Sequence, residues 1–130
     1  SPTIKEAVAQ VVDCIDVHMT EGGCGWLAAV VKIRKVSEDD GKKAIEAALA
    51  GHRSMKMVTI VDEDIDISNP VRVEWAMVTR WQPDRDTYIF PNQKGSSLDP
   101  SRYEDGLTSK VGFDATIHHS DNPEGYMSVQ

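Results

Sequence analysis

Positive charge is in short supply in this chain. Fourteen Lys and Arg stand against 21 Asp and Glu, for a formal charge of −7. Nonspecific nucleic-acid binding and attraction to an anionic membrane both need a basic surface, so neither is expected. Long apolar runs are also missing: nothing approaches the ~20 residues that span a bilayer. The opening SPTIKEAV has neither the basic nor the apolar region of a signal peptide. Cysteine occurs only at positions 14 and 24. Reduced, buried thiols are the expected state of Cys14 and Cys24, and a cytoplasmic location is the matching expectation. Local signatures of catalysis are absent as well. There is no G-x-S-x-G elbow, and His18, His52, His118 and His119 do not stand at zinc spacing with either cysteine. No metal site is assigned. What remains is ordinary for a globular chain: 130 residues, 40% hydrophobic and 27% charged, enough for one domain with a core.

The most informative stretch is 57–80, MVTIVDEDIDISNPVRVEWAMVTR. Met57–Val61 is a short, β-branched apolar run, which predicts a central buried strand. Asn69 followed by Pro70 predicts a helix start, one residue capping free N–H groups and the next needing none. Trp75, Val78 and Thr79, flanked by Val71 and Val73, are expected to form that helix's buried face. The acidic run at 62–66 resembles the start of a calcium loop, but Ile67 and Val73 occupy the positions that need Gly and Glu. Its expected role is a solvated turn whose carboxylates pair with Arg80 or Arg85, with Arg80 clamping Asp62 or Asp86.

Around that unit, Thr3 and Glu6 stand in capping-box spacing and predict a helix over 4–12. A short strand is expected at 16–19, a glycine turn at 21–26 and a strand at 27–34. Ser37 and Asp40 cap a helix at 39–50 that Gly51 ends. The basic loop His52-Arg-Ser-Met-Lys56 precedes the central strand. A polar turn at 82–85 leads to a strand at 86–90, ended by Pro91. Residues 92–109 read as a long loop, which in a compact domain marks function or a partner surface. A last short strand at 112–116 and a tail at 118–130 complete the chain. Trp26, Trp75 and Trp81 are expected in the core or at an interface. The fold class is α/β: one domain over 1–117, a mixed sheet of four to five strands packed with helices.

Four blocks also carry a resemblance. VDEDIDI (61–67), EWAMVTR (74–80), QPDRDT (82–87) and GLTSKVGFDAT (106–116) resemble, in order and spacing, the C-terminal region of the UbiD family of prenylated-FMN-dependent carboxy-lyases. The resemblance runs from about Asp16 to Thr116 and covers only the last part of a family member. It implies that the flavin, with a divalent metal and with or without a monovalent cation, is held by an earlier domain along with the catalytic acid–base groups. This chain alone would then be inactive. Its implied contributions are subunit contact, giving a homo-oligomer, and a loop closing over the substrate pocket. Gly95-Ser-Ser-Leu-Asp-Pro100 matches a Gly-x-x-Leu-x-Pro stretch that lines the pocket in some relatives, making Ser96, Ser97 and Leu98 the substrate-side candidates. Cinnamate-type relatives carry Phe-Pro before that Leu, where this chain has two serines. His52 and Arg53 lie near the place where some relatives have a lysine approaching the cofactor phosphate. The implied reaction is reversible decarboxylation of an aromatic or α,β-unsaturated acid. A free-standing interaction module without catalytic activity is the alternative.

Overall fold

β3 (Met57–Val61) is buried from Val58 onward, and the other elements are laid out on either side of it. The computed structural model describes residues 2–20, 22 and 27–118. The elements are α1 (Pro2–Ala9), β1 (Asp13–Met19), β2 (Ala28–Arg34), α2 (Asp40–Gly51), β3, α3 (Pro70–Arg80), β4 (Thr87–Lys94) and β5 (Leu107–Ala115). The five strands form one mixed sheet in the order β1-β2-β3-β5-β4. β3 runs parallel to β2 and β5, and β1 and β4 pair antiparallel at the two edges. A parallel pair needs a crossover, which α2 supplies between β2 and β3. The expected α/β class and strand number are therefore observed.

Both faces of β3 are covered. On one, Ile4 and Val8 of α1 and Ala44, Ile45 and Ala48 of α2 pack on Val31, Ile33, Val58 and Ile60. On the other, Val73 and Ala76 of α3, with Ile65 and Ile67 from the preceding turn, cover Val30, Val61 and Ala115. Each fully buried aliphatic contributes about 1.5–3 kcal/mol of transfer free energy. The alanine-rich face of α2 lets it lie close to β5. A Cβ on Gly112 would fall 2.1 Å from Cγ2 of Ile45, so only glycine fits there.

Several boundaries differ from expectation, each for a physical reason. The first helix stops at Ala9, and Val11 and Val12 turn back by bonding the Val8 carbonyl. β1 begins earlier, at Asp13, and absorbs Ile15 in a bulge between Cys14 and Asp16. Gly51 is the last helical residue of α2 and does not break it. Its missing side chain leaves room for Ala7, whose Cβ would be 3.0 Å away, so its smallness serves helix packing. Asp40 rather than Ser37 closes the start of α2, its carboxylate accepting from the N–H groups of Val36 and Ser37.

Asn69 caps α3 as expected, accepting from Val71 N–H at 3.0 Å. The buried face of α3 is Val73, Ala76 and Arg80, whereas Val71 and Val78 are exposed. Trp75 is only half-buried and lies under the Arg80 and Arg72 guanidiniums. The expected face is offset because Arg80 takes a buried position on it, its charge met by Asp62 and Asp64. Pro91 does not end β4. On an edge strand its missing N–H costs no ladder bond, and the strand continues after an irregularity between Phe90 and Gln93 with Asn92 at φ 57°. β5 correspondingly starts at Leu107, so the long loop shrinks to 95–106.

His118 is docked on the domain rather than lying in an exposed tail. Cys14 is half-buried, and burial pushes its thiol pKa up. Cys24, Trp26, His119 and most of the glycine turn lie outside the described residues. No described helix is long and apolar enough to cross a membrane.

Gly112→Ala should destabilise the domain by about 1–3 kcal/mol by overpacking. Ile45→Ala should cost about 2–5 kcal/mol alone. If the two side chains compete for one space, urea denaturation of the double variant will show clearly less than the sum.

Candidate functional site

Two loops meet at the N-terminal ends of β3 and β5, and they carry all five residues singled out from the sequence. Residues 52–56 enter β3, and residues 95–106 connect β4 to β5. Lys56 ties the loops together: Nζ lies 2.9 Å from Oδ2 of Asp99 and donates to Ser101 Oγ at 2.7 Å. Asp99, 4% exposed, also accepts from Ser101 N–H and Oγ–H. Lys56 and then Ser101 hold the Asp99 carboxyl at a pKa of about 2. A second tie runs from Lys110 Nζ to the Arg53 carbonyl at 3.0 Å. The base of the longer loop is pinned where Gly95 N–H donates to Gly106 O at 2.8 Å. Gly106 sits at φ 82°, a conformation that favours glycine.

The candidate residues separate by exposure. Ser96 is buried and braces the loop, its Oγ accepting from Leu98 N–H at 3.1 Å. Ser97 points outward, and Leu98 keeps 48% of its surface exposed. His52 Nδ1 accepts from Ser54 N–H, and Arg53 is exposed. The result is a braced loop that displays Leu98, beside a turn that displays Arg53. Sequence spacing alone could not find Lys56, Asp99 and Lys110, because their partners are 43, 43 and 57 residues away. The only signal available was a short basic loop followed by a lone Asp in a Gly/Ser stretch.

The other end of the parallel strands is closed by ion pairs. Arg80, with its side chain wholly buried, bonds Asp62 at 2.9 Å and Asp64 through both guanidinium nitrogens at 2.8 Å. Burial pushes the Asp62 pKa up, whereas the Arg80 bonds hold Asp64 down. Asp66 accepts from Ser68 N–H and Oγ–H, so the acidic run is spent on one arginine and one turn. Arg80 does not clamp Asp86. That residue pairs with Arg85, accepts from Gln82 N–H and faces His118 at 2.8 Å. Burial pushes Asp86 up, but Arg85, Gln82 and His118 together bring it below the usual range.

His118 also reaches Glu38 at 2.6 Å. Ligand atoms of Asp86, Asp114 and His118 lie within 4.8 Å of one another. The Arg85 cation already occupies Asp86, and Thr116 donates twice to Asp114, so this cluster is built as a charge clasp.

Two outcomes test these assignments. Arg80→Met would strand buried Asp62 without its cation, at an expected cost of about 3–5 kcal/mol in chemical denaturation. Asp99→Asn should release the 95–106 loop, seen as faster hydrogen exchange at Ser101 N–H with the β3 amides unchanged. The folded pKa of Asp99 lies below the ~3.9 of an unfolded Asp, so its tie is fully present above pH ~4. The tie should be lost as pH falls toward about 2.

Comparison with known proteins identifies the family of the domain. A curated relative, the anhydromevalonate phosphate decarboxylase of Methanothermobacter thermautotrophicus, is 52% identical over 116 residues, 88% of this chain and 27% of that protein. The chain thus spans about a quarter of the length of the curated relatives it matches. Among solved structures, the UbiD-class enzyme HmfF from Pelotomaculum thermopropionicum in complex with FMN superposes with a TM-score of 0.92 at 38% identity. It covers 98% of this chain and 29% of the other. An evolved dimeric form of the same enzyme in complex with prFMN superposes with a TM-score of 0.77 at 34% identity, covering 98% of this chain and 26% of that one. Residues 1–115 match the family described as 3-octaprenyl-4-hydroxybenzoate carboxy-lyase C-terminal domain, and the chain belongs to that UbiD C-terminal domain family.

Proposed function

We propose that this chain is the C-terminal part of a UbiD-like decarboxylase, and that the 95–106 loop forms one wall of its substrate pocket. The observation that carries this reading is the Lys56–Asp99 tie, which holds Leu98 displayed from a braced loop at the edge where Arg53 is also exposed. A loop fixed by an ion pair on a buried carboxylate presents a side chain at low entropic cost, as a pocket wall requires.

The substrate class follows from the relatives' name and from charge placement. The curated relative acts on anhydromevalonate phosphate. Although the chain is acidic overall, Arg53, Lys56, Lys94 and Arg102 belong to the loops and strand ends at this edge. Exposed Arg53 suits a phosphorylated unsaturated acid better than an apolar aromatic one, in keeping with Ser96-Ser97 before Leu98. In this reading Leu98 packs on the hydrocarbon part of the substrate, Ser97 offers a hydroxyl, and Ser96 holds the backbone in place.

The prenylated flavin and its metal belong to the rest of the polypeptide. The residues here fit contact with an anionic phosphate through exposed Arg53, with His52 beside it. They do not fit a metal at this edge, because the Asp99 carboxylate is committed to Lys56. When bound, the flavin supplies the electron sink for loss of carbon dioxide. This chain's residues orient the substrate, exclude water from its apolar face and place cations near its charges.

Exposed Met57, Val71, Val78 and Ile89 on the α3 side of the sheet support a contact with the flavin domain or a second subunit. Decarboxylation is thus assigned to the assembled, cytoplasmic enzyme, and not to this chain alone.

In the intact enzyme, Leu98→Ala should lower kcat/KM at least tenfold while stability changes by less than ~0.5 kcal/mol, since the side chain is half-exposed. Arg53→Ala should weaken flavin retention, read by absorbance after gel filtration. A native polypeptide that carries no flavin and copurifies with no flavoprotein would overturn the decarboxylase reading.

A further inference from the structure

Lys110 raises a separate question. It is 7% exposed, and its ammonium has three N–H donors, of which one meets the Arg53 carbonyl. Among the described residues no carboxylate lies in ion-pair range of it, although buried lysines are normally paired. Burial alone pushes its pKa down. The side chain lies on the α2 face of the sheet, away from α3, and borders a cavity of about 250 Å³ lined also by Glu46, Leu49, Ala50, Phe90 and Gln93. The β4 irregularity between Phe90 and Gln93 lies beside it. Such bulges are enriched next to sites, where they re-aim side chains.

We propose that this cavity is an accessory binding site for a small monocarboxylate, whose carboxylate accepts the unused Lys110 donors while its hydrocarbon body lies against Leu49 and Phe90. Glu46 selects the class. Glu46, an exposed residue lining the same cavity, disfavours a dianion such as phosphate, whereas a single negative charge at the Lys110 end is tolerated. At ~30 Å³ per water-sized group, the space holds about eight non-hydrogen atoms. Gln93 lies two residues before Gly95, so occupancy bears on the base of the 95–106 loop from behind. The site stands on its own geometry and does not require the decarboxylase reading.

Calorimetric titration of the intact polypeptide with 3-methylbutanoate tests this, with 3-methylbutanol and inorganic phosphate as controls. Saturable binding of the carboxylate is expected, at least tenfold weaker in Lys110→Met and severalfold tighter in Glu46→Gln. Ala50→Leu, which fills the cavity and keeps the lysine, should abolish it. Should Lys110→Met fail to fold, Ala50→Leu and Glu46→Gln decide the matter. Equal binding of the alcohol, equal or tighter binding of phosphate, no binding at all, or insensitivity to Ala50→Leu would each overturn the proposal.

Discussion

Burial of β3 on both faces governs where polar chemistry can sit in this domain. A strand flanked by parallel neighbours and covered by α1 and α2 on one side and α3 on the other leaves no room for charge along its length. Charges are forced to its ends, and the two ends resolve this differently. After Val61 the chain emerges as an acidic run neutralised by buried Arg80. Before Met57 it arrives through a basic turn whose lysine is neutralised by Asp99. One end is closed by pairs between Arg80 of α3 and the turn that follows β3. The other is stapled loop to loop and leaves side chains on display.

That asymmetry reverses the usual placement of sites in open α/β sheets, where ligands sit outside the carboxyl ends of parallel strands. Here the carboxyl ends are occupied by the Arg80 and His118 ion pairs. The proposed pocket wall lies at the amino ends. With the proposed wall at the amino ends, the end sealed by ion pairs is devoted to stability.

The parts legible in the sequence were those set by local chemistry. Met57–Val61 was readable because five consecutive apolar residues have only one place to go, and the start of α3 because Asn-Pro determines it at two positions. The α/β class followed from the strand–turn–helix unit, and the loop from its length and its Gly, Ser, Asp and Pro content. What was hidden depended on partners far along the chain. The Arg80 clamp on Asp62 was legible, but not the full burial of the guanidinium, which is favourable only once Asp62 and Asp64 fold over it. That shifted the expected face of α3 and put Trp75 too deep. His118 read as tail because Glu38 and Asp86 lie 80 and 32 residues away. Pro91 read as a stop because the rule for central strands was applied to what proved to be an edge. At the site, the loop and its exposed Leu98 were legible, but the Lys56–Asp99 staple that braces them was not.

The kink in β4 has a consequence for how this domain can vary. Between Phe90 and Gln93 the strand advances three residues while β5 moves back only two, from Lys110 to Thr108. The additional residue inverts the odd–even phase of everything after it. The side chains entering the 95–106 loop therefore leave the sheet in the opposite sense from the one a regular ladder would dictate. A single-residue insertion or deletion between Phe90 and Gln93 would turn the loop's display from one side of the sheet to the other. Changes in the length of the loop itself, beyond Gly95, would leave that phase intact. The domain thus has a parity constraint immediately upstream of the loop that displays Leu98.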